Sequence, residues 1–352
     1  MHSVLSPNMI ADSRKFALRF LEKNFNQSTQ RWHDFSTRTS GSGTQWITAF
    51  VLAHTDGTFP SIEQSWLEQI KQVSKPIGYN DHVPPDCDST VWALTVLRGA
   101  IPLSASSKLL ATIFSRFIAS HWVELDGRCG LSTYNQSSPI IAYKTSNGGW
   151  SDFRGWTQTP CDEISALGLP LLLHIGADSE KSLWLERSEQ WINSLRKKGL
   201  TSYWWSSDAY VLRVTLEALN DFQEIDDRLS ALASMTIREL VLRLPEIAAN
   251  DKLSAFDKGN LILAISSKRS ISQSDIVLLR RLADELLEEQ KDSGAWVSQD
   301  VMRIPYPNDA SPWSSNYFDA GRAGTGGLLA DSGVLSTAVC CAALDSLKGK
   351  IK

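Results

Sequence analysis

Two carboxylates stand two residues apart in segment 83–94, which reads VPPDCDSTVWAL. Asp86 and Asp88 come just before an apolar run with the pattern of a buried helix. Carboxyl groups this close can share one proton, so their titrations are coupled and the pKa of one of them is raised. A helix N-terminus opposes this effect because it favours the anion. The segment is therefore a candidate acid site, and the sequence leaves open which of the two effects dominates.

The candidate acid site lies at the start of one of six helical stretches that carry little or no charge. Each stretch is apolar around most of its circumference, which predicts a buried helix. They are 45–54, 89–97, 164–175, 209–219, 259–265 and 334–344. Six amphipathic stretches alternate with them, and their charged faces predict outer helices. These are 12–23, 61–73, 104–120, 179–195, 226–244 and 272–290. Ser61 with Gln64, and Ser272 with Asp275, resemble capping boxes at two outer starts.

This alternation predicts an all-α fold, an (α/α)6 toroid of six outer and six inner helices. One anchor position on each inner helix marks the repeat. These are Thr48, Thr90, Ser165, Tyr210, Asn260 and Thr337, at intervals of 42, 75, 45, 50 and 77 residues. Because the long interval precedes the third and the sixth anchor, we expect a pseudo-twofold duplication within one domain, 1–352. Half one spans about 1–178 and half two about 179–352. Two long insertions, 121–160 and 292–331, are expected to carry function.

All inner helices of such a toroid run the same way, so their N-termini open at one face. Acidic residues cluster at or near these starts. They are Asp86, Asp88, Asp162, Glu163, Asp208, Asp257 and Asp331. Asp162 and Asp257 are candidates for substrate binding, and helix capping is the alternative for each acidic residue. A central cavity at this face is the expected site.

The chain contains 13 Trp residues, and several aromatic side chains fall on inner helices or at their mouths. Aromatic faces can hold a cationic intermediate, whereas core packing is the alternative role. The candidate substrate-binding residues are Trp46, Trp92, Trp150, Trp156, Trp204, Trp205, Tyr210, Phe256 and Trp296. Arg303, near the mouth, is a candidate for binding a diphosphate or carboxylate, and surface ion pairing is its alternative.

Segment 83–94 resembles the DxDD-T-A segment of the class II terpene cyclases, the squalene–hopene cyclase type. In this resemblance Asp88 takes the place of the middle Asp, which protonates an alkene or epoxide. Asp86 matches the first acidic position, Ser89 replaces the last Asp, and Thr90 holds the Thr position. The resemblance thus implies Asp88, Asp86, Thr90 and Ser89 as catalytic residues. Residues 290–296 (QKDSGAW) are similar to the QxxxGxW part of the QW repeat of the same superfamily.

The resemblance implies a prenyltransferase and squalene oxidase repeat, here as a single toroid where the family usually pairs two barrels. It implies a cyclase of the isomerase or lyase type that protonates an alkene and cyclises a carbocation in an aromatic-lined cavity. The expected ligand is a small hydrophobic, isoprenoid substrate. No cofactor and no metal are expected, except that Mg²⁺ would help to bind a substrate that carries a diphosphate.

Three other functions stay open at this point. An α/α-barrel glycoside hydrolase or lyase would use two carboxylates, such as Asp88 with Asp162, Asp208 or Asp257, and Trp platforms for sugars. A protein prenyltransferase subunit would need a zinc site of Asp, Cys and His, which the spacing does not assemble. A helical-repeat scaffold would need no interior acid.

The composition indicates which classes of binding partner and which cellular compartment to expect. The net charge of −4 argues against nucleic-acid binding, which favours a basic excess. No apolar stretch reaches the roughly 20 residues of a membrane-spanning helix. The first residues lack a basic stretch followed by an apolar one, so we expect no secretory signal. Five cysteines without a CxxC pattern predict neither a disulfide framework nor a zinc site. We therefore expect a cytoplasmic protein.

Overall fold

A computed structural model describes residues 6–37, 40–99, 105–176, 178–298, 300–315 and 327–350. Helices that correspond to the predicted outer set are α1 (Pro7–Lys23), α3 (Pro60–Val73), α5 (Ala105–Ala119), α9 (Lys181–Lys198), α11 (Asp227–Val241) and α14 (Gln273–Glu289). Those of the inner set are α2 (Gln45–His54), α4 (Cys87–Gly99), α8 (Asp162–Ile175), α10 (Asp208–Ile225), α13 (Ala255–Ser266) and α15 (Val334–Ser346). Three shorter helices are α6 (Ile140–Gly148), α7 (Arg154–Gln158) and α12 (Arg243–Ala248).

The inner helices form a closed ring. Each contacts the next in the order α2, α4, α8, α10, α13 and α15, and α15 returns to α2. Outer helices pack outside it, as α5 does on α4 and α14 on α13. The predicted α/α toroid is confirmed, because the six uncharged helices form an inner ring that the outer helices surround.

The inner helix starts meet at one end of the ring. The Asp34 carboxylate accepts hydrogen bonds from the backbone N–H groups of Ser332 and Leu335 at the start of α15. Glu163, in the first turn of α8, accepts from the segment just before α10. The bond from Leu335 satisfies an N–H group that the start of α15 leaves unpaired, and the bonds to Glu163 join the start of α8 to the segment before α10.

Three of the six anchor positions accept a hydrogen bond from a backbone N–H of a preceding segment. The hydroxyl of Thr48 accepts a hydrogen bond from the N–H of Trp32 at 3.1 Å, and Thr337 accepts one from Trp296 at 3.0 Å. Ser165 accepts one from Leu131 at 2.8 Å. The repeat read from the sequence is thus a repeated contact between a loop and an inner helix.

Caps explain some of the helix starts. The predicted capping box at Ser272 and Asp275 is present at the start of α14. The one predicted at Ser61 and Gln64 is wrong, because α3 already begins at Pro60 with no side-chain cap. Proline is favoured at the first position of a helix, because the N–H group that it lacks would have no partner within the helix.

The QW-like segment joins the last outer helix to the first. The Gln290 amide donates to the carbonyls of Ser13 and Gly294, both at 2.9 Å, and its oxygen accepts from the Ser13 hydroxyl at 2.7 Å. The Trp296 indole donates to the Leu286 carbonyl at 2.6 Å. Ser13 lies on α1 and Leu286 on α14, so this segment closes the outer ring.

Replacing Gln290 by Ala should lower the free energy of unfolding by about 2 kcal/mol, because it removes two hydrogen bonds to Ser13 on α1 and one to nearby Gly294. Urea denaturation would measure the loss. Gln64, exposed on α3, offers the matched control, and Gln64→Ala should change stability by less than about 0.5 kcal/mol. Equal losses in the two variants would contradict the proposed closure.

The two insertions meet over the N-terminal end of the ring. The first contains the hairpin of β3 (Trp122–Leu125) and β4 (Arg128–Leu131), together with α6 and α7. The second contains β5 (Met302–Ile304), which pairs with β6 (Gly327–Leu329). Trp156 donates its N–H and its indole N–H to the carbonyls of Pro307 and Pro305, both at 3.1 Å. A Cβ at Gly155 would lie 2.3 Å from the Asp309 carbonyl oxygen, so the close approach requires glycine.

One more hairpin completes this end, where β1 (Asp34–Thr37) pairs with β2 (Gly41–Gly43). Within the described part of the chain, no helix has the length and apolar character needed to span a bilayer.

Candidate active site

A cavity with about 750 Å³ of atom-free space, partly open to solvent, lies where the insertions cover the inner helix starts. It receives side chains from α2, α4, α6 and α7 and from the segment before α10. The lining residues are Thr37, Ser40, Trp46, Tyr79, Val83, Asp86, Asp88, Ser89, Thr133, Tyr134, Ile140, Lys144, Trp156, Trp204, Trp205, Met302 and Ile304. This is the expected position, the mouth of the ring.

Asp86 stands immediately before α4 and caps it. One carboxylate oxygen accepts the N–H of Ser89 at 2.7 Å, and the other accepts the Ser89 hydroxyl at 2.8 Å. Burial raises the pKa of Asp86 to about 7, although both bonds from Ser89 lower it. Asp86 is therefore the carboxyl of the pair whose anion is held by hydrogen bonds.

Asp88 faces the cavity from the first turn of α4. Among the described residues its carboxyl group has no hydrogen-bond partner. Burial raises the pKa of Asp88 well above its usual value, and the charges of Asp86 and Glu163 raise it further. The sequence left open whether burial or the helix start would dominate, and here burial does. Asp88 is thus a carboxyl group whose neutral form is favoured and which faces the cavity.

Ser89 and Thr90 act on the backbone and on Asp86. Ser89 lines the cavity and donates to Asp86 as described. Thr90 is fully buried behind the lining, and its hydroxyl donates to the carbonyls of Ile77 at 3.1 Å and Asp86 at 2.8 Å. Its expected catalytic role is therefore corrected to positioning, because it holds the loop that carries Asp86.

Glu163 is the third carboxyl of the cluster. It is 1% exposed, and one oxygen accepts the N–H groups of Tyr203 at 2.9 Å and Trp204 at 2.8 Å. The other oxygen is buried and has no partner among the described residues. Burial raises the pKa of Glu163 to about 7. Sequence reasoning chose its neighbour Asp162 for the site instead.

A signal for Glu163 was present in the anchor positions. Asp88 lies two residues before the anchor Thr90, and Glu163 lies two residues before the anchor Ser165. Trp46, two before Thr48, also lines the cavity. Trp46 and Asp88 therefore face the same cavity from equivalent positions, and Glu163 lies close enough for its charge to raise the pKa of Asp88.

Four of the predicted tryptophans line the cavity, namely Trp46, Trp156, Trp204 and Trp205. The Trp156 and Trp204 rings lie 5.8 Å apart, and Trp46 meets Trp205 edge-on at 6.5 Å. The Trp204 indole donates to the Thr133 hydroxyl at 2.6 Å, which fixes its orientation. These rings form a rigid aromatic wall beside Asp88.

No family model matches the chain, and no curated protein matches it. Solved structures do. The type II terpene cyclase MstE from Scytonema, in complex with its substrate geranylgeranyl dihydroxybenzoate, is 21% identical over 97% of both chains, with a TM-score of 0.75. The chain has the fold of the class II terpene cyclases.

Two further structures are similar. A protein from Actinoplanes is 20% identical, with a TM-score of 0.71 over 96% of this chain and 99% of the other. A "possible member of GH105 family" from Salmonella enterica is 8% identical, with a TM-score of 0.64 over 98% of this chain and 95% of the other. The resemblance at segment 83–94 is thus matched by a likeness of fold over almost the whole chain.

Within this fold, five of the aromatic residues predicted to bind substrate are not among the residues that line the cavity. They are Trp92, Trp150, Tyr210, Phe256 and Trp296. Trp92 lies one turn beyond Asp88 on α4 and packs on Phe50 at 4.9 Å, because four residues of helix advance about 6 Å away from the mouth.

The other four have their own packing partners. Tyr210 and Phe256 pack behind Trp205, with ring centroids 4.4 and 4.9 Å from it. Trp150 packs on Tyr306 at 5.5 Å, and Trp296 belongs to the closure of the outer ring. Tyr210 and Phe256 thus support the cavity wall from behind.

Three predicted polar residues are also structural. Asp162 accepts the Thr201 N–H at 2.9 Å and the Trp191 indole N–H at 3.2 Å. Asp257 forms the capping box of α13 with Ser254. Arg303 donates to the Ser202 carbonyl at 2.9 Å. None of the three lines the cavity, since each is needed to satisfy backbone or indole groups at the ring mouth.

A separate polar depression lies beside the ring mouth and contains Asp208 and Asp257. Asp208 forms an ion pair with Arg243 at 2.5 Å. The carboxylates considered for sugar hydrolysis are thus paired or capping. The described residues contain no group of three His, Cys, Asp or Glu side chains placed to hold a metal ion.

Proposed function

We propose that the chain is a protonation-initiated cyclase that acts on an isoprenoid alkene, with Asp88 as the proton donor. One observation carries the proposal. Asp88 is a carboxyl group with a raised pKa that faces an aromatic-lined cavity and has no hydrogen-bond partner among the described residues. An acid that is neutral near pH 7 and pre-positioned in a water-poor cavity is what alkene protonation requires.

The proposed step transfers the Asp88 proton to an alkene carbon. The O–H bond breaks, a C–H bond forms, and the π electron pair that makes it leaves a carbocation on the neighbouring carbon. A second alkene attacks this carbocation, so that a C–C bond closes a ring. Transfer of a proton from carbon to water ends the sequence, and the Asp88 carboxylate takes up a proton from solvent, so the proton count returns to its starting value. Substrate and product are isomers, and the carboxylic acid initiates the reaction without a metal or cofactor.

Asp86 would tune this acid. Its two bonds from Ser89 favour its anion, so Asp86 is the carboxyl of the pair that ionises first. Its negative charge then holds the proton on Asp88. Ser89, which stands where the DxDD segment has its last Asp, would therefore act by orienting Asp86.

The aromatic wall would protect the carbocation. The faces of Trp46, Trp156, Trp204 and Trp205 offer cation–π attraction, worth ~2 kcal/mol or more in a desolvated site. They also exclude water, which would otherwise capture the cation. The fold likeness to MstE, solved with geranylgeranyl dihydroxybenzoate, supports an oligoprenyl chain as the substrate. Mg²⁺ would assist binding only for a substrate that carries a diphosphate.

Sugar hydrolysis has less support. It would need a second carboxylate facing the same space as Asp88 at a suitable distance. Asp162, Asp208 and Asp257 are committed to other partners. The likeness to the Salmonella enterica structure concerns the fold alone.

Cyclisation in D₂O tests the proposal. The purified chain is incubated with oligoprenyl alcohols, diphosphates and prenylated benzoates, and the products are analysed by mass spectrometry. We expect cyclised product with one new carbon-bound deuterium, because the acid exchanges its proton with solvent. Re-incubating unlabelled product in D₂O controls for later exchange. Cyclised product without deuterium would contradict protonation, and no product from the whole panel would contradict the isoprenoid substrate class.

A further inference from the structure

Lys144 is a buried cation in the cavity wall. It lies on α6 in the first insertion, and its side chain is 6% exposed. Its ammonium group donates one long hydrogen bond, to the Ser40 hydroxyl at 3.3 Å. It also stands 5.7 Å from the centroid of the Trp156 ring.

These contacts leave the charge uncompensated. An ammonium group has three donors, and burying a charge is costly unless it is paired. Among the described residues none forms an ion pair with Lys144. Asp86 is bonded to Ser89, and the charges that act on Asp88 come from Asp86 and Glu163. The carboxyl cluster and Lys144 are therefore two separate polar features of one cavity.

We propose that Lys144 binds an anionic group at the polar end of the substrate. This inference rests on the proposed function and names the substrate class for the same site, a polyene chain with a negatively charged head. The head would lie between α6 and the β1–β2 hairpin, where Ser40 offers a further hydroxyl. The Trp156 face beside Lys144 would pack on the first apolar atoms of the chain. A carboxylate or a phosphate could each supply the anionic group that binds Lys144.

Burial lowers the pKa of Lys144. A bound anion would reverse this effect, because a nearby negative charge favours the ammonium form. Binding of an anion would thus offset the free-energy cost of burying the Lys144 ammonium group.

Binding of a matched ligand series tests the inference. Farnesoic acid, its methyl ester, farnesol and farnesyl diphosphate share one chain and differ in head group and charge. Titration calorimetry with the full chain measures each affinity. We expect an anionic member to bind about 10-fold more tightly than the ester and the alcohol, since a charged hydrogen bond is worth at least that factor. The acid and diphosphate arms show which anion is preferred.

Lys144→Met should remove this preference and leave the affinity for the ester unchanged. Lys197, exposed on α9, provides the control, and Lys197→Met should keep the preference. Equal affinities across the series, including absence of binding, or a preference that survives in Lys144→Met, would overturn the inference. Because binding is measured without turnover, a failure of the cyclisation test leaves this result interpretable. Conversely, cyclisation of a neutral substrate would stand even if Lys144 proved irrelevant.

Discussion

Replacing Asp88 by Asn is expected to reduce turnover by about 10³-fold or more. Asn has nearly the same shape but no acidic proton, and general acids contribute roughly 10² to 10⁴ in rate. In the described part of the structure no other carboxyl group lines the cavity except Asp86, which is bonded to Ser89. Initial rates of product formation, measured by mass spectrometry, would give the loss.

The fold of this variant should be intact. Asp88 is neutral near pH 7 in our proposal, so an amide replaces a neutral group, and no hydrogen bond among the described residues depends on it. Because the folded protein keeps the Asp88 proton that the unfolded chain releases, we expect the variant to be at least as stable as the wild type at neutral pH. Thermal unfolding of the variant beside the wild type checks this.

Asp86→Asn is the matched control, with the same chemical change two residues away. The Asn side chain can still cap α4 through its oxygen. The loss of the Asp86 charge lowers the pKa of Asp88, so turnover should fall by only about 10-fold and the rate should decline at lower pH than in the wild type. An active Asp88→Asn enzyme, or equal losses in the two variants, would refute the assignment of the proton donor.

The ring of helices could be predicted because burial on all sides leaves a clear mark on a sequence. An inner helix such as α2, with bounds identical to the predicted 45–54, has almost no charged positions. Short helices such as α6 and α7 and the three antiparallel strand pairs of the described residues could not be predicted. They lie in loops or insertions where contacts with other parts of the chain, such as Trp156 with Pro305, decide the conformation.

The site could be predicted only in part, because the sequence does not show how deep a side chain lies. Trp46 and Trp92 both belong to inner helices, yet one lines the cavity and the other lies a turn deeper. Asp162 and Glu163 are neighbours, and successive helical residues point about 100° apart. Lys144 has no periodic context at all, since it lies in an insertion.

Glu163→Gln tests the third carboxyl through stability. The pKa of Glu163 is raised from 4.5 to about 7 by burial. The folded protein therefore keeps a proton that the unfolded chain releases between these values. This contribution is fully present below the unfolded pKa and is lost as pH rises through 7, at a cost of roughly 3 kcal/mol by pH 8.

The amide keeps the oxygen that accepts from Tyr203 and Trp204 and carries no charge at any of these pH values. The variant should thus be more stable than the wild type at pH 8, by roughly 1 to 3 kcal/mol, and the difference should fall below about 1 kcal/mol near pH 5. The pKa values of Asp86 and Asp331 are also raised to about 7. Both groups change the free energy of unfolding with pH equally in the variant and the wild type, so their effects cancel in the difference. Urea denaturation at both pH values gives the two differences.

Glu186, exposed on α9, is the control, and Glu186→Gln should show the same stability as the wild type at both pH values. A stability difference for Glu163→Gln that does not change between pH 5 and pH 8 would contradict the raised pKa.

The activity of Glu163→Gln should also decline at a lower pH than the activity of the wild type, because the Glu163 charge helps to keep the proton on Asp88. If Glu163 keeps the proton on Asp88, this role in the reaction would explain why the protein retains a buried carboxyl group that lowers its stability.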